Sequence, residues 1–125
     1  MHKRILIVDD EPALLDMMRE MLKRYDHELE IDITENGNTA LSHLKNSGAD
    51  LLISDIFMPE KEGIELIREV KQKYPAMKII AMSAGLNRQG INYLEVAKLL
   101  GSTTTLPKPF SREELLSAVQ GLLNN

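Results

Sequence analysis

Ile5-Leu6-Ile7-Val8-Asp9-Asp10-Glu11-Pro12 passes from four unbroken apolar residues to three acids and then a proline. A β-branched run without a polar break reads as a strand buried on both faces, from Lys3 to Val8. Pro12 suits the first turn of a helix, where its missing N–H costs nothing. Leu14, Leu15, Met18, Met21, Leu22 and Tyr25 then recur at helical spacing. A buried strand followed directly by a helix is the first half of a βαβ unit, and the rest of the chain repeats the theme.

Leu29, Ile31 and Ile33 alternate with Glu30, Asp32 and Thr34, the pattern of a half-exposed edge strand. Ala40, Leu41 and Leu44 mark a short second helix that stops near Gly48. Asp50–Asp55 is the third strand. Ile64, Ile67 and Val70 share one face of a third helix ended by Tyr74-Pro75. Met77–Met82 is the fourth strand, Ile91 to Leu100 a fourth helix ending at Gly101, and Thr103–Leu106 a short fifth strand. Ser111, with Glu114 at the capping-box position, opens a last helix with Leu115, Leu116, Val119, Leu122 and Leu123 inward. Strict alternation implies an α/β fold, a five-stranded parallel sheet covered by five helices, with right-handed crossovers.

Composition narrows the function classes. A chain of 125 residues is one domain that can bury a core without staples. It has no cysteine, so a disulfide framework and a thiolate metal site are both excluded. Met1-His2-Lys3-Arg4 precedes only four apolar residues, unlike a secretory signal, and no apolar stretch is long enough for a bilayer. A cytoplasmic protein without membrane contact is expected. The net charge of −4 and the scatter of Lys and Arg argue against direct nucleic-acid binding. The loop after the first strand is acidic rather than glycine-rich, which disfavours a dinucleotide site. His2, His27 and His43 share no metal-ligand spacing and read as surface residues. Met17, Met18 and Met21 read as core packing at helical spacing.

Four strands end on residues that phosphoryl chemistry uses. The first runs into Asp9-Asp10-Glu11, the third into Asp55, the fourth into Ser83 and the fifth into Lys108. In an open parallel sheet these carboxyl ends gather along one edge, where ligands bind. Three close carboxylates repel one another, and a divalent cation resolves the conflict. Mg²⁺ takes oxygen ligands, commonly one or two carboxylates together with phosphate. Read singly, Asp9-Asp10-Glu11 is equally an anionic cap on the first helix, Ser83 a hydroxyl satisfying backbone, and Lys108 a solvated lysine. Pro107 and Pro109, however, stiffen the chain on either side of Lys108. Asp55 fits the role of a covalent nucleophile, because carboxylates form aspartyl-phosphates.

Ile7-Val8-Asp9-Asp10-Glu11, Asp55-Ile56-Phe57-Met58-Pro59 with Gly63, Ser83-Ala84 and Lys108-Pro109-Phe110 together resemble the receiver domain of two-component response regulators. The resemblance covers essentially the whole chain and makes residues 1–125 one receiver domain. It implies a flavodoxin-like doubly wound sheet of strand order 2-1-3-4-5. It implies Asp55 as phosphoacceptor and Asp9, Asp10, Asp55 and the backbone carbonyl of Phe57 around Mg²⁺. Lys108 contacts the acyl phosphate, and Ser83 hydrogen-bonds it on switching. The implied donor is a phosphohistidine on a sensor histidine kinase or histidine phosphotransfer protein. The implied output is a protein-binding face formed by the fourth helix, fifth strand and last helix. The domain would catalyse only its own phosphorylation and dephosphorylation.

Three features depart from that pattern. Thr105 stands where many receivers have Tyr or Phe, so the switch would lack the usual ring movement. The segment from Ser83 to Gly101 is slightly long, and carries Gly85, Gly90 and the polar run Asn87-Arg88-Gln89. Phe57 is bulky beside the phosphoryl site, and is expected to slow attack by water. Two other readings stand at this stage. One is a pseudo-receiver that binds its partner without phosphorylation, which Thr105 keeps open. The other is a Mg²⁺-dependent phosphohydrolase with Asp55 as turnover nucleophile, although Glu60 and Glu62 have no evident acid–base role.

Overall fold

The computed structural model describes residues 3–56, 63–83, 95, 98 and 101–124. Five strands form one parallel sheet: β1 (Arg4–Val8), β2 (Glu30–Thr34), β3 (Leu51–Asp55), β4 (Lys78–Ser83) and β5 (Thr104–Pro107). Their order is β2-β1-β3-β4-β5. Ile7 lies beside Ile33 on one side and Ile53 on the other, and Ile53 pairs with Ile80. Strand boundaries differ from the sequence reading by a residue or so, and the fourth and fifth strands slide forward by one.

Four helices accompany the sheet among the described residues: α1 (Pro12–Tyr25), α2 (Gly37–Asn46), α3 (Gly63–Lys73) and α4 (Arg112–Leu123). The expectation of five helices is therefore corrected. Only these four have bounds among the described residues; between Ser83 and Thr104 the described residues are too few to bound another, although Glu95 and Lys98 are themselves helical. The span 91–100, read as the fourth helix, lies outside the described residues except for Glu95 and Lys98.

Period-2 alternation along each strand sorts the core into two layers. Ile5, Ile7, Ile53, Ile80 and Met82 pack against Leu15, Met18 and Leu22 of α1 and Leu115 and Val119 of α4. Leu6, Val8, Leu52, Ile79 and Ala81 face the other way, onto Ala40 and Leu44 of α2 and Leu66, Ile67 and Val70 of α3. β1 and β3 are buried on both faces because a layer covers each side. β2 is an edge strand, and only Ile31 within it is buried.

The helix ends follow local chemistry. Pro12 opens α1, and Lys23 and Arg24 sit in its last turn, where cations suit the dipole. The Asn36 side chain accepts the Thr39 N–H at the start of α2. The Ser111 hydroxyl accepts the Glu114 N–H, and the Glu114 carboxylate accepts the Ser111 N–H, completing the capping box of α4. The three methionines of α1 divide: Met18 is fully buried, Met21 is half-buried and Met17 is exposed. His27 is exposed, whereas His43 is half-buried with Nε2 3.1 Å from Asp32 Oδ2. Among the described residues no helix is long and apolar enough to cross a membrane.

Candidate functional site

The parallel sheet brings the ends of β1, β3, β4 and β5 to one edge, and the chemistry-bearing residues sit there. Asp9 follows β1 directly and is fully buried. Its N–H donates to the Thr34 carbonyl at 3.2 Å, which continues the β1–β2 ladder by one bond. Its Oδ1 accepts the Glu11 N–H at 3.0 Å, an Asx-type turn leading into α1. Its Oδ2 accepts Lys108 Nζ at 2.7 Å. Asp10, one residue on, is exposed.

Asp55 closes β3 and is nearly buried. Its Oδ1 accepts the Ile56 N–H at 2.9 Å and lies 3.5 Å from Lys108 Nζ. Carboxylate oxygens of Asp9, Asp10 and Asp55 all fall within 4.8 Å of one another. Three hard oxygen donors at that spacing fit a divalent cation of the Mg²⁺ type. The fit rests on the donor chemistry and on the crowding of negative charge, which Lys108 meets at Asp9 and Asp55 and a divalent cation would meet at all three.

Lys108 spans the two buried acids. Burial by itself pulls its pKa down. The hydrogen bond to Asp9 and the charges of Asp55 and Asp9 more than offset this, so the pKa is raised above the ordinary 10.5. Its position is fixed from behind. The Lys108 N–H donates to the Ser83 carbonyl at 2.7 Å, extending the β4–β5 ladder past the Ser83–Pro107 pair. The Lys108–Pro109 peptide is cis. Ser83 is the last residue of β4 and is buried. Thr105 lies mid-strand in β5, paired with Ala81 and half-buried.

Asp9, Asp10, Asp55 and Lys108 thus come together, and the ladder ties Ser83 to Lys108 through the backbone. Phe57, whose carbonyl was read as a metal ligand, lies outside the described residues, as do Glu60, Glu62 and Tyr93. Two residues near the nucleophile carry more than the sequence reading gave them. Gly63 enters that reading only as part of a motif. A Cβ on it would sit 1.8 Å from the Asp55 carbonyl oxygen, so only glycine fits. Ser54 was passed over, yet it is fully buried and its hydroxyl donates to the Asp55 carbonyl at 2.9 Å. The available signal was a hydroxyl interrupting an apolar strand.

The profile of the response regulator receiver domain family matches residues 5–120. The DNA-binding transcriptional regulator NtrC of Azospirillum brasilense is 35% identical over 97% of this chain. The transcriptional regulatory protein CpxR of Klebsiella pneumoniae is 33% identical over 96%. The chain spans 24% of the first and 49% of the second, so it matches only part of each. Among solved structures, the chemotaxis response regulator CheY4 of Vibrio cholerae superposes with a TM-score of 0.84 at 27% identity, over 98% of this chain and 99% of that one. A CheY-like receiver domain protein from Methanospirillum hungatei gives a TM-score of 0.88 at 27% identity, over 99% and 95%.

Proposed function

The chain belongs to the response regulator receiver domain family, and from that premise we propose that Asp55 is the phosphoacceptor and residues 1–125 form one receiver domain. The observation that carries the assignment is Lys108, held 2.7 Å from Asp9 and 3.5 Å from Asp55 at the carboxyl edge of the sheet.

The domain accepts a phosphoryl group in signal transduction and is not an enzyme acting on external substrates. The donor is a phosphohistidine on a sensor kinase or phosphotransfer protein. An Asp55 carboxylate oxygen attacks phosphorus as the P–N bond breaks, and the bonding pair leaves with the imidazole nitrogen. Asp55 is held for that attack at Oδ1 by the Ile56 N–H, which the Met82 carbonyl shares, and by Lys108. The Lys108 ammonium stays charged and stands beside the transferred oxygens, where fixed positive charge lowers the barrier. Asp9 orients Lys108. Asp9, Asp10 and Asp55, with the Phe57 carbonyl, are the groups to hold Mg²⁺, which when bound neutralises charge on the phosphoryl oxygens. Ser83, at the end of β4, is assigned the switch hydrogen bond to the new dianion.

Output is assigned to a protein-binding face that includes β5 and α4. Thr105, mid-strand in β5, offers a methyl and a hydroxyl where a larger ring would report the switch. A partner preferring one state moves the equilibrium only by its differential affinity. A cytoplasmic location suits a chain without cysteine.

Intact mass after incubation with Mg²⁺ and a small acyl phosphate tests the assignment. A single phosphoryl adduct is expected on wild type and none on Asp55→Asn. An adduct that survives Asp55→Asn would refute it.

A further inference from the structure

Ser54 sits where the fold has no need of a polar atom. It is fully buried, flanked across the sheet by Val8 of β1 and Ala81 of β4. Strand alternation turns it to the same side as Leu52, onto the apolar layer of α2 and α3. A buried hydroxyl is tolerated only with a partner, and here that partner is the main chain of the nucleophile. Ser54 Oγ donates to the Asp55 carbonyl at 2.9 Å. Gly63 closes on that carbonyl from the other direction, with no room for a side chain. Its own N–H donates to the Ile56 carbonyl at 2.8 Å, which fixes the approach.

The same peptide group has a second end. The carbonyl held by Ser54 and the N–H of Ile56 belong to one amide plane, and that N–H is shared between Asp55 Oδ1 at 2.9 Å and the Met82 carbonyl of β4 at 3.0 Å. The ladder bond to Met82 sets the general direction of the N–H, and holding the carbonyl at the other end of the rigid plane sets how that N–H is divided between Met82 and Asp55. An amide that accepts at oxygen also donates more strongly at nitrogen. The order of contacts is therefore Ser54 hydroxyl, Asp55–Ile56 peptide, Asp55 carboxylate.

We propose that Ser54 is a positioning residue for phosphoryl acceptance, acting through the Asp55–Ile56 peptide to aim and polarise the Ile56 N–H on the Asp55 carboxylate. The inference rests on Asp55 being the phosphoacceptor. A plain packing role predicts something different, because alanine would then serve as well as serine.

Ser54→Ala, Ser54→Thr and Ser54→Cys separate the two. The Ile56 amide proton is followed by NMR in the unphosphorylated protein, and the initial rate of adduct formation with acetyl phosphate is measured at saturating Mg²⁺. Thermal unfolding checks that each variant is folded. Ser54→Ala is expected to move the Ile56 amide upfield and to slow adduct formation about three- to tenfold, the rate equivalent of one neutral hydrogen bond. Ser54→Thr, which restores the hydroxyl, is expected to return both towards wild type. Ser54→Cys, a weak donor of similar size, is expected to fall between. A wild-type amide position and rate in Ser54→Ala would overturn the proposal, and so would equal slowing in folded alanine, cysteine and threonine variants. Absence of an adduct on wild type would instead refute the phosphoacceptor reading. The amide comparison would still decide whether Ser54 sets the Asp55–Ile56 contact.

Discussion

Lys108 joins two acids that would otherwise face each other with nothing between them, so its removal is felt in stability as well as in chemistry. Asp9 is fully buried, and losing its ammonium partner leaves a carboxylate that water does not reach. Lys108→Gln keeps a donor but no charge, and is expected to cost about 2 kcal/mol in metal-free buffer at neutral pH. The pH dependence has a definite sign. The folded pKa is raised above 10.5, so the contribution is complete below that value and is lost as pH climbs through the folded pKa. The gap in urea midpoint between wild type and Lys108→Gln should be wide at pH 8 and begin to close only as pH rises past 10.5 towards the folded pKa. A gap that stays constant would show that the charge contributes nothing. Gly63 is the second sensitive residue. In Gly63→Ala the new methyl would meet the Asp55 carbonyl, and the β3–α3 connection must shift. Overpacking of this kind costs about 1–3 kcal/mol. Phosphorylation should fall by more than stability predicts, since the displaced group is the nucleophile's own peptide, and a folded Gly63→Ala accepting phosphoryl at the wild-type rate would contradict this.

At the scale of elements, α4 begins just after the lysine loop, and its capping box fixes where that loop ends. Ser111→Ala removes one half of the box and is expected to cost about 1 kcal/mol, seen as a lower unfolding midpoint. Ser111→Asp should restore most of it, because aspartate also caps. If alanine and aspartate behave alike, the box is not what holds the helix end. This element was legible from Ser111 and Glu114 alone, because a capping box is a local interaction with fixed spacing. The strands were legible for a similar reason, as double-sided burial leaves a continuous apolar run such as Leu51-Leu52-Ile53. Their ends were not, because the last ladder bond depends on the neighbour. Ser83 joins β4 through its pairing with Pro107, which no local pattern announces. The same limit hid Ser54 and Gly63, since their contact is with a backbone carbonyl, and a carbonyl has no letter in the sequence. The helix count differs for another reason: four helices have bounds among the described residues, and Ile91 to Leu100 lies mostly outside them.

For the whole molecule, the site is a product of topology, because β1 and β3 are adjacent only through the 2-1-3-4-5 order. Asp9 and Asp10 come from one strand and Asp55 from the other, some 45 residues apart in sequence. A cation held by both strands binds the folded chain and not the unfolded one, so it stabilises the entire domain by mass action. At one hundred times its dissociation constant the gain is about 2.7 kcal/mol, or roughly 10 °C in midpoint at about 4 °C per kcal/mol for a chain of this length. Asp10 makes the prediction specific. It is exposed, it belongs to no core layer, and its carboxylate adds to the repulsion in the cluster. Asp10→Asn should therefore do two opposite things: raise the metal-free midpoint by easing repulsion, and lose most of the shift on adding Mg²⁺. Scans with Mg²⁺ and with NaCl at equal ionic strength separate binding from screening. A solvated aspartate at a helix start would move neither midpoint in this way. Full retention of the Mg²⁺ shift in Asp10→Asn would remove Asp10 from the metal site, and no shift in wild type would remove the site itself.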